Sequence, residues 1–309
     1  MLSEAALWPR REGPDGVTYG SAQSVDATPF GLTSFNSRSV PETIMECFAK
    51  SILWAVALLA VCAPVLNAQS ETMMYDHVHM AASDPQAAAQ WYLDHFGGEG
   101  VDGRDGRLLL GTTRFIWRQA EDRRGSAGSV IDHLGFSFAD LDAKLRELEV
   151  AGATITTPRR DVEGLFPLSF VEDPWGVRLE IIEDPQHLGF HHIHLRSPEP
   201  ETALQWYLDK FGGVRTPLRG RRDGILYPGN VWLLVTRGET FPSTEGAIDH
   251  LGWRALDLIP KLEELRGKRV EITRGPNDLT FENGQISFFF VSAPSGASVE
   301  IVQRAANMR

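Results

Sequence analysis

Polar and apolar residues alternate over His77-Val78-His79-Met80, within a strand predicted near Asp76–Ala81. The period then lengthens. Ser83-Asp84-Pro85 supplies a helix N-cap with proline in the first turn, the helix runs through Trp91, and Gly97-Gly98 ends it in a left-handed C-cap. Strands are predicted near Leu108–Gly111 and Arg114–Gln119. The order then recurs: a strand at His133–Phe138, a helix at Asp140–Ala151 with Leu141, Leu145 and Leu148 on one face, and strands at Leu168–Glu172 and Val177–Glu183 around the turn Asp173-Pro174-Trp175-Gly176. Beyond the short linker Pro185-Gln186-His187-Leu188 the whole series returns. The predicted unit is βαβββ, four times over, an α+β protein.

The recurrence is also one of chemistry. His77-Val78-His79 and Gln90-Trp91-Tyr92-Leu93-Asp94 reappear 115 residues later as His192-Ile193-His194 and Gln205-Trp206-Tyr207-Leu208-Asp209. Ile131-Asp132-His133-Leu134-Gly135 reappears as Ile248-Asp249-His250-Leu251-Gly252, and Val177-Arg178-Leu179-Glu180-Ile181 as Ala297-Ser298-Val299-Glu300-Ile301. Two histidines and a glutamate thus stand in the same order in each half. Two neutral imidazoles and a carboxylate suit Fe2+, Mn2+, Zn2+ or Ni2+, and three ligands leave positions open for a substrate.

The first 68 residues differ in kind. Residues 1–44, rich in Ser, Pro, Gly and Thr, read as disorder or as a gene-model extension ahead of Met45. Residues 45–68 read as a signal peptide: Lys50, an apolar run from Ser51 to Leu66, and Ala68 where signal peptidase would cut. The expected mature chain is therefore exported, periplasmic or extracellular, without an integral span; uncleaved, the segment would be a membrane anchor. Both cysteines, Cys47 and Cys62, fall in the removed part, which excludes disulfides and thiolate chemistry. Removal takes 4 of 30 basic and 6 of 41 acidic residues, leaving 26 against 35. That acidic balance argues against nucleic acid as a partner.

These motifs resemble the vicinal oxygen chelate (VOC) superfamily of glyoxalase I, extradiol dioxygenases and bleomycin-resistance proteins. The resemblance spans about Tyr75 to Gln303 and is most specific at Glu172-Asp173-Pro174-Trp175-Gly176-Val177-Arg178-Leu179-Glu180. It implies two VOC domains, residues 72–184 and 188–305, each an open U-shaped sheet around a divalent metal. It assigns His77, His133 and Glu180 to the first site and His192, His250 and Glu300 to the second. It also allows modules to exchange, so that His77 shares a metal with the fourth module. The implied function is a metal-dependent lyase/isomerase or dioxygenase acting on a small molecule with vicinal oxygens; the alternative is a non-catalytic small-molecule binder, and a homodimer is one assembly open to it. Two departures are visible. The strands Arg114–Gln119 and Asn230–Val235 lack the carboxylate that glyoxalase I uses as a fourth ligand. The tyrosine position of the dioxygenases falls on Phe170 and Phe290.

Other residues carry two readings. His79 and His194 lie on the same strand face as His77 and His192, about 6.5–7 Å away at strand rise, as catalytic acid–base candidates beside the metal or as held polar residues. Asp76, Asp132 and Asp249 precede ligands, so alternation turns them to the opposite face as structural hydrogen-bonders. Arg215, Arg219, Arg221 and Arg222 form either an anion-recognition cluster or a solvated hairpin, with the second favoured.

Overall fold

The computed structural model describes residues 71–101, 104–306 and 308, so the signal-peptide and extension readings lie outside the described residues. The four modules appear as expected. Module one is β1 (Met74–Ala82), α1 (Pro85–Phe96), β2 (Glu99–Gly100), β3 (Arg107–Leu110) and β4 (Thr113–Gln119). Module two is β5 (Ile131–Ser137), α2 (Leu141–Val150), β6 (Thr154–Arg160), β7 (Leu168–Glu172) and β8 (Arg178–Ile182). Module three is β9 (Gly189–Ser197), α3 (Pro200–Phe211), β10 (Val214–Leu218), β11 (Arg222–Tyr227) and β12 (Val231–Arg237). Module four is β13 (Ile248–Arg254), α4 (Leu258–Gly267), β14 (Ile272–Phe281), β15 (Gly284–Ala293) and β16 (Ala297–Arg304). The first helix is capped by Asp84, whose carboxylate accepts from the amides of Gln86 and Ala87.

The sheets do not follow the sequence halves. One runs β14-β15-β16-β13-β1-β4-β3-β2 and joins module one to module four; the other runs β10-β11-β12-β9-β5-β8-β7-β6 and joins module two to module three. Each sheet thus draws on both sequence halves, 72–184 and 188–305, instead of closing within one, and the described residues form one compact unit. The linker supplies a physical reason. Only six residues separate Ile182 from Gly189, and the chain spans at most about 3.5 Å per residue. That is enough to step over β5 within one sheet, where neighbouring strands lie about 4.8 Å apart. The connection from Gln119 to Ile131, eleven residues, is nearly twice as long and changes sheet.

Consecutive modules meet through their helices instead. The Trp91 indole donates to Ala151 O at 2.9 Å and the Lys144 ammonium to His95 O at 2.8 Å; Lys261 and Lys268 donate to the carbonyls of Lys210 and Asp209 at 3.0 and 2.8 Å. Each lysine thus satisfies carbonyls left open at a neighbouring helix C-terminus. The apolar faces of helices and sheets merge into one core that includes Tyr92, Phe115, Phe136, Tyr207, Phe211 and Trp253. The opposite sheet faces carry the histidines and glutamates.

Candidate metal centres

At the middle of the first sheet β1 runs antiparallel to β13 and parallel to β4. His79 stands opposite His250, and His77 opposite Gly252. The second sheet repeats this register with His194 opposite His133 and His192 opposite Gly135. The absence of a side chain at the two glycines is a requirement. A Cβ on Gly252 would stand 2.2 Å from the His77 ring, and one on Gly135 2.0 Å from the His192 ring. The sequence shows both glycines in the repeat, but only the cross-module pairing reveals why they are glycines.

The donors therefore gather as His77, His79, His250 and Glu300 in one sheet, and as His133, Glu180, His192 and His194 in the other, with the ligand atoms of each group within 4.8 Å of one another. This corrects the triads: His77 does not meet His133 and Glu180, and the exchanged arrangement holds. Glu300 Oε2 lies 3.1 Å from His250 Nε2 and 3.4 Å from His77 Nε2. Glu180 Oε2 lies 3.0 Å from both His133 Nε2 and His192 Nε2. His79 and His194 sit in these clusters rather than beside them. The His79 ring stacks on His250 at 4.4 Å and stands 5.0 Å from His77, closer than strand rise alone implies.

Alternation fails at the aspartates for a visible reason. Register slips by one residue at Asp76, Asp132, His191 and Asp249, the residue before each histidine, and such bulges re-aim side chains. Each aspartate turns back to its neighbour's ring: Asp76 to His77 Nδ1 at 2.8 Å, Asp132 to His133 Nδ1 at 2.7 Å, and Asp249 to His250 Nδ1 at 2.6 Å. A carboxylate accepts, so Nδ1 carries the proton and Nε2 turns its lone pair to the centre. Arginines hold the carboxylates in turn, Arg254 and Arg304 on Asp76 at 2.7 and 2.6 Å, and Arg178 on Asp132 at 2.7 Å. The second site departs at one position. His191 replaces the aspartate, its Nδ1 2.9 Å from His192 Nδ1, and its Nε2 faces Asp184 at 3.5 Å. Asp184 follows Glu180 by four residues as Arg304 follows Glu300, so the Asp–Arg pair of one site is answered by a His–Asp pair in the other.

Electrostatics follow from burial and these partners. Burial holds His79 and His194 well below the usual imidazole range, with neighbouring imidazoles adding to the effect. His77 and His133 are also desolvated, yet their carboxylate neighbours outweigh burial and raise them. Burial works to raise Glu180 and Glu300, and the facing histidines overcome it and hold both low. Ionised carboxylates thus face imidazole Nε2 atoms in a buried space. His77 Nε2, His79 Nδ1 and both ring nitrogens of His194 are buried without a hydrogen-bond partner. Unsatisfied donor atoms of this kind, converging with a carboxylate, fit a divalent cation.

Of the arginine cluster at the β10–β11 hairpin, Arg215 is bound by Asp223 and Glu201, Arg219 by Asp184, and Arg221 donates to Glu163 O at 2.8 Å. The first site opens into a cavity of about 220 Å³ that includes all four donors.

Four βαβββ modules forming two open eight-stranded sheets, each with a His/Glu cluster at its centre, define the vicinal oxygen chelate architecture. Residues 75–181 match the family model of the Glyoxalase/Bleomycin resistance protein/Dioxygenase superfamily. That match covers modules one and two of the four and supports a relationship to this superfamily. The fold is similar to that of glyoxalase I from Zea mays (TM-score 0.59, 19% identity, 75% of this chain and 92% of that one). It is also similar to a candidate dioxygenase from Bacillus subtilis (TM-score 0.50, 18% identity, 75% and 86%). Among curated proteins no sequence matches.

Proposed function

We propose that the chain is an exported, metal-dependent lyase or isomerase acting on a small molecule that presents two vicinal oxygens. The observation that carries this reading is the pair of buried clusters, three imidazoles and one carboxylate each, with unpartnered ring nitrogens at their centres. His77, His79, His250 and Glu300 would hold one divalent ion, and His133, Glu180, His192 and His194 the other. The nitrogen–oxygen donor set suits Zn2+, Ni2+, Fe2+ or Mn2+. When bound, the ion supplies Lewis acidity toward chelated oxygens. Asp76, Asp132 and Asp249 fix the imidazoles with Nε2 inward, and the apolar cores beneath the sheets keep the donors from relaxing.

The donor count separates the reaction types. Four protein donors leave two positions on a six-coordinate ion, enough for vicinal oxygens and not for O2 as well. This favours the lyase/isomerase reading over the dioxygenase. It also gives His79 and His194 a ligand role in place of the acid–base role read from the sequence.

Metal analysis of the purified mature chain tests the proposal, with two equivalents per chain expected and one lost in His250→Ala or His133→Ala. Protein that takes up no stoichiometric metal, or whose content ignores both substitutions, would sink it. Oxygen uptake by the Fe2+-loaded chain with catechols would overturn the choice of reaction type. The apolar run from Ser51 to Leu66 and Ala68 support export, and N-terminal sequencing of the protein from extracytoplasmic fractions should begin at Gln69.

A further inference from the structure

The two sites are built alike and furnished differently. Strand register gives each position around the first site a counterpart around the second: Ile116 corresponds to Leu234, and Phe290 to Phe170. By the same register Arg107, Arg118 and Arg274 correspond to Gly224, Thr236 and Thr157. All three arginines line the cavity of the first site, together with Phe281 and Phe288. They come from β3, β4 and β14, and so from both modules of the sheet. Arg274 lies over Phe288 and Phe290 at 5.5 and 5.1 Å, and Arg107 over Phe281 at 5.8 Å, which aligns planar cations with apolar walls. Arg118 reaches Asp249 at 3.2 Å while half its side chain stays exposed. The second site face carries Leu168, Phe170, Trp232 and Leu234 in an apolar cluster instead. His194, Arg222 and Arg237 line the opening beside the second site, where Glu201 and Asp223, both bound to Arg215, and Glu199, 3.8 Å from Arg237, bring opposing charge.

We propose that the first site alone selects an organic carboxylate with an attached aromatic or branched apolar group. The arginines at positions 107, 118 and 274 receive the carboxylate, and Phe281 and Phe288 receive the apolar part. Guanidinium groups bind carboxylates with paired, charge-assisted hydrogen bonds, which a neutral isostere cannot reproduce. An apolar cavity of about 150 Å³ holds a benzene ring, so the 220 Å³ here fits a ring with a short acidic side chain. The inference rests on the metal-site reading for the vicinal oxygens, whereas the charge preference belongs to the arginines and persists without metal.

The test is calorimetric titration of 3-phenyllactate and its neutral amide into the zinc-loaded and metal-stripped chain. Both probes carry vicinal oxygens and the same ring; only one carries charge. One equivalent of the carboxylate should bind per chain, about tenfold or more tighter than the amide. The doubly substituted Arg107→Gln/Arg274→Gln chain, with fold checked by circular dichroism and zinc content unchanged, should lose that preference. Stripping metal should weaken both probes, the carboxylate more because zinc also draws its charge; the preference that remains in the metal-stripped chain reads the arginines and should vanish in the double variant. Two equal equivalents, a preference that survives the double substitution, or no measurable carboxylate binding in either form overturns the inference. A chain that takes up no zinc instead fails the metal reading, and the ratio in the metal-stripped arm still decides this one.

Discussion

Replacing Gly252 by alanine should empty one metal site and spare the other. The added Cβ would stand 2.2 Å from His77 Cε1 and 2.4 Å from both ring nitrogens, where ordinary contact is about 3.5–4 Å. The ring must retreat by more than 1 Å, because the neighbouring strand backbone is pinned in register. That motion breaks the 2.8 Å bond to Asp76 and carries Nε2 away from Glu300. Overpacking of this kind costs about 1–3 kcal/mol of stability. Metal ligands tolerate only about 0.2 Å, and losing an outer hydrogen-bond partner alone costs about 10–100-fold in affinity. Losing the ligand itself should therefore weaken the first site at least about 100-fold, or about 2.7 kcal/mol. Zinc content and competition with a chromophoric chelator provide the assay, with Gly267→Ala as control, since a Cβ there meets nothing within 4 Å. Gly252→Ala should retain one equivalent, which disappears on adding Glu180→Gln. The reasoning is refuted if two tight equivalents remain, or if the surviving one depends on Glu300.

Other outcomes follow from the same contacts. Metal should load the first site before the second by about 10–100-fold, because His192 is oriented by His191 and not by a carboxylate; stepwise titration of the Glu180→Gln and Glu300→Gln chains reads the order. Asp76→Asn should destabilise by about 3–5 kcal/mol, since it leaves Arg254 and Arg304 beside a neutral group in a buried network; thermal melts at pH 7 would show it. Asp76 is held low by His77 and Arg304 against burial, so its contribution is present above the usual carboxylate pKa and fades as pH falls toward the depressed value. Asp173 has the opposite sign. Burial raises it to about 6 despite bonds from Val177, Tyr92 and Trp175, so its contribution is full below about 4 and is lost as pH rises through 6. Asp173→Asn should flatten that part of the stability profile, and a curve as steep as wild type would contradict the assignment.

Much of this was legible beforehand because each signal was local. Helix starts at Asp84 and Asp140, glycine stops at Gly97 and Gly212, and alternating strands are properties of a few adjacent residues. The six repeated candidate ligand positions were likewise visible, since the repeat presents them twice. Pairing was not. Modules one and three carry the same motif, as do two and four, so nothing in His77 specifies His250 over His133. The bulges were hidden for a related reason. A two-residue period assigns Asp132 to the far face, and only the slip against β9 brings its carboxylate to His133. The arginine asymmetry needed register as well, because Arg107 and Arg274 lie far apart in sequence and gain meaning only beside Gly224 and Thr157.

The modules pair like nested brackets, two with three inside one with four. The inner sheet can close once residues 131–237 exist, whereas the outer one must wait for β13 to β16 to return to β1. Pairings so remote in sequence form slowly and leave strand edges exposed in the interval. Until the C-terminal quarter arrives, β1 has no antiparallel neighbour, and the half-site of His77 and His79 faces open solvent. A circular permutant would remove that delay. Joined from the C-terminus to Thr72 and opened in the connection between β4 and β5, the chain would read two, three, four, one, with every sheet built from consecutive modules.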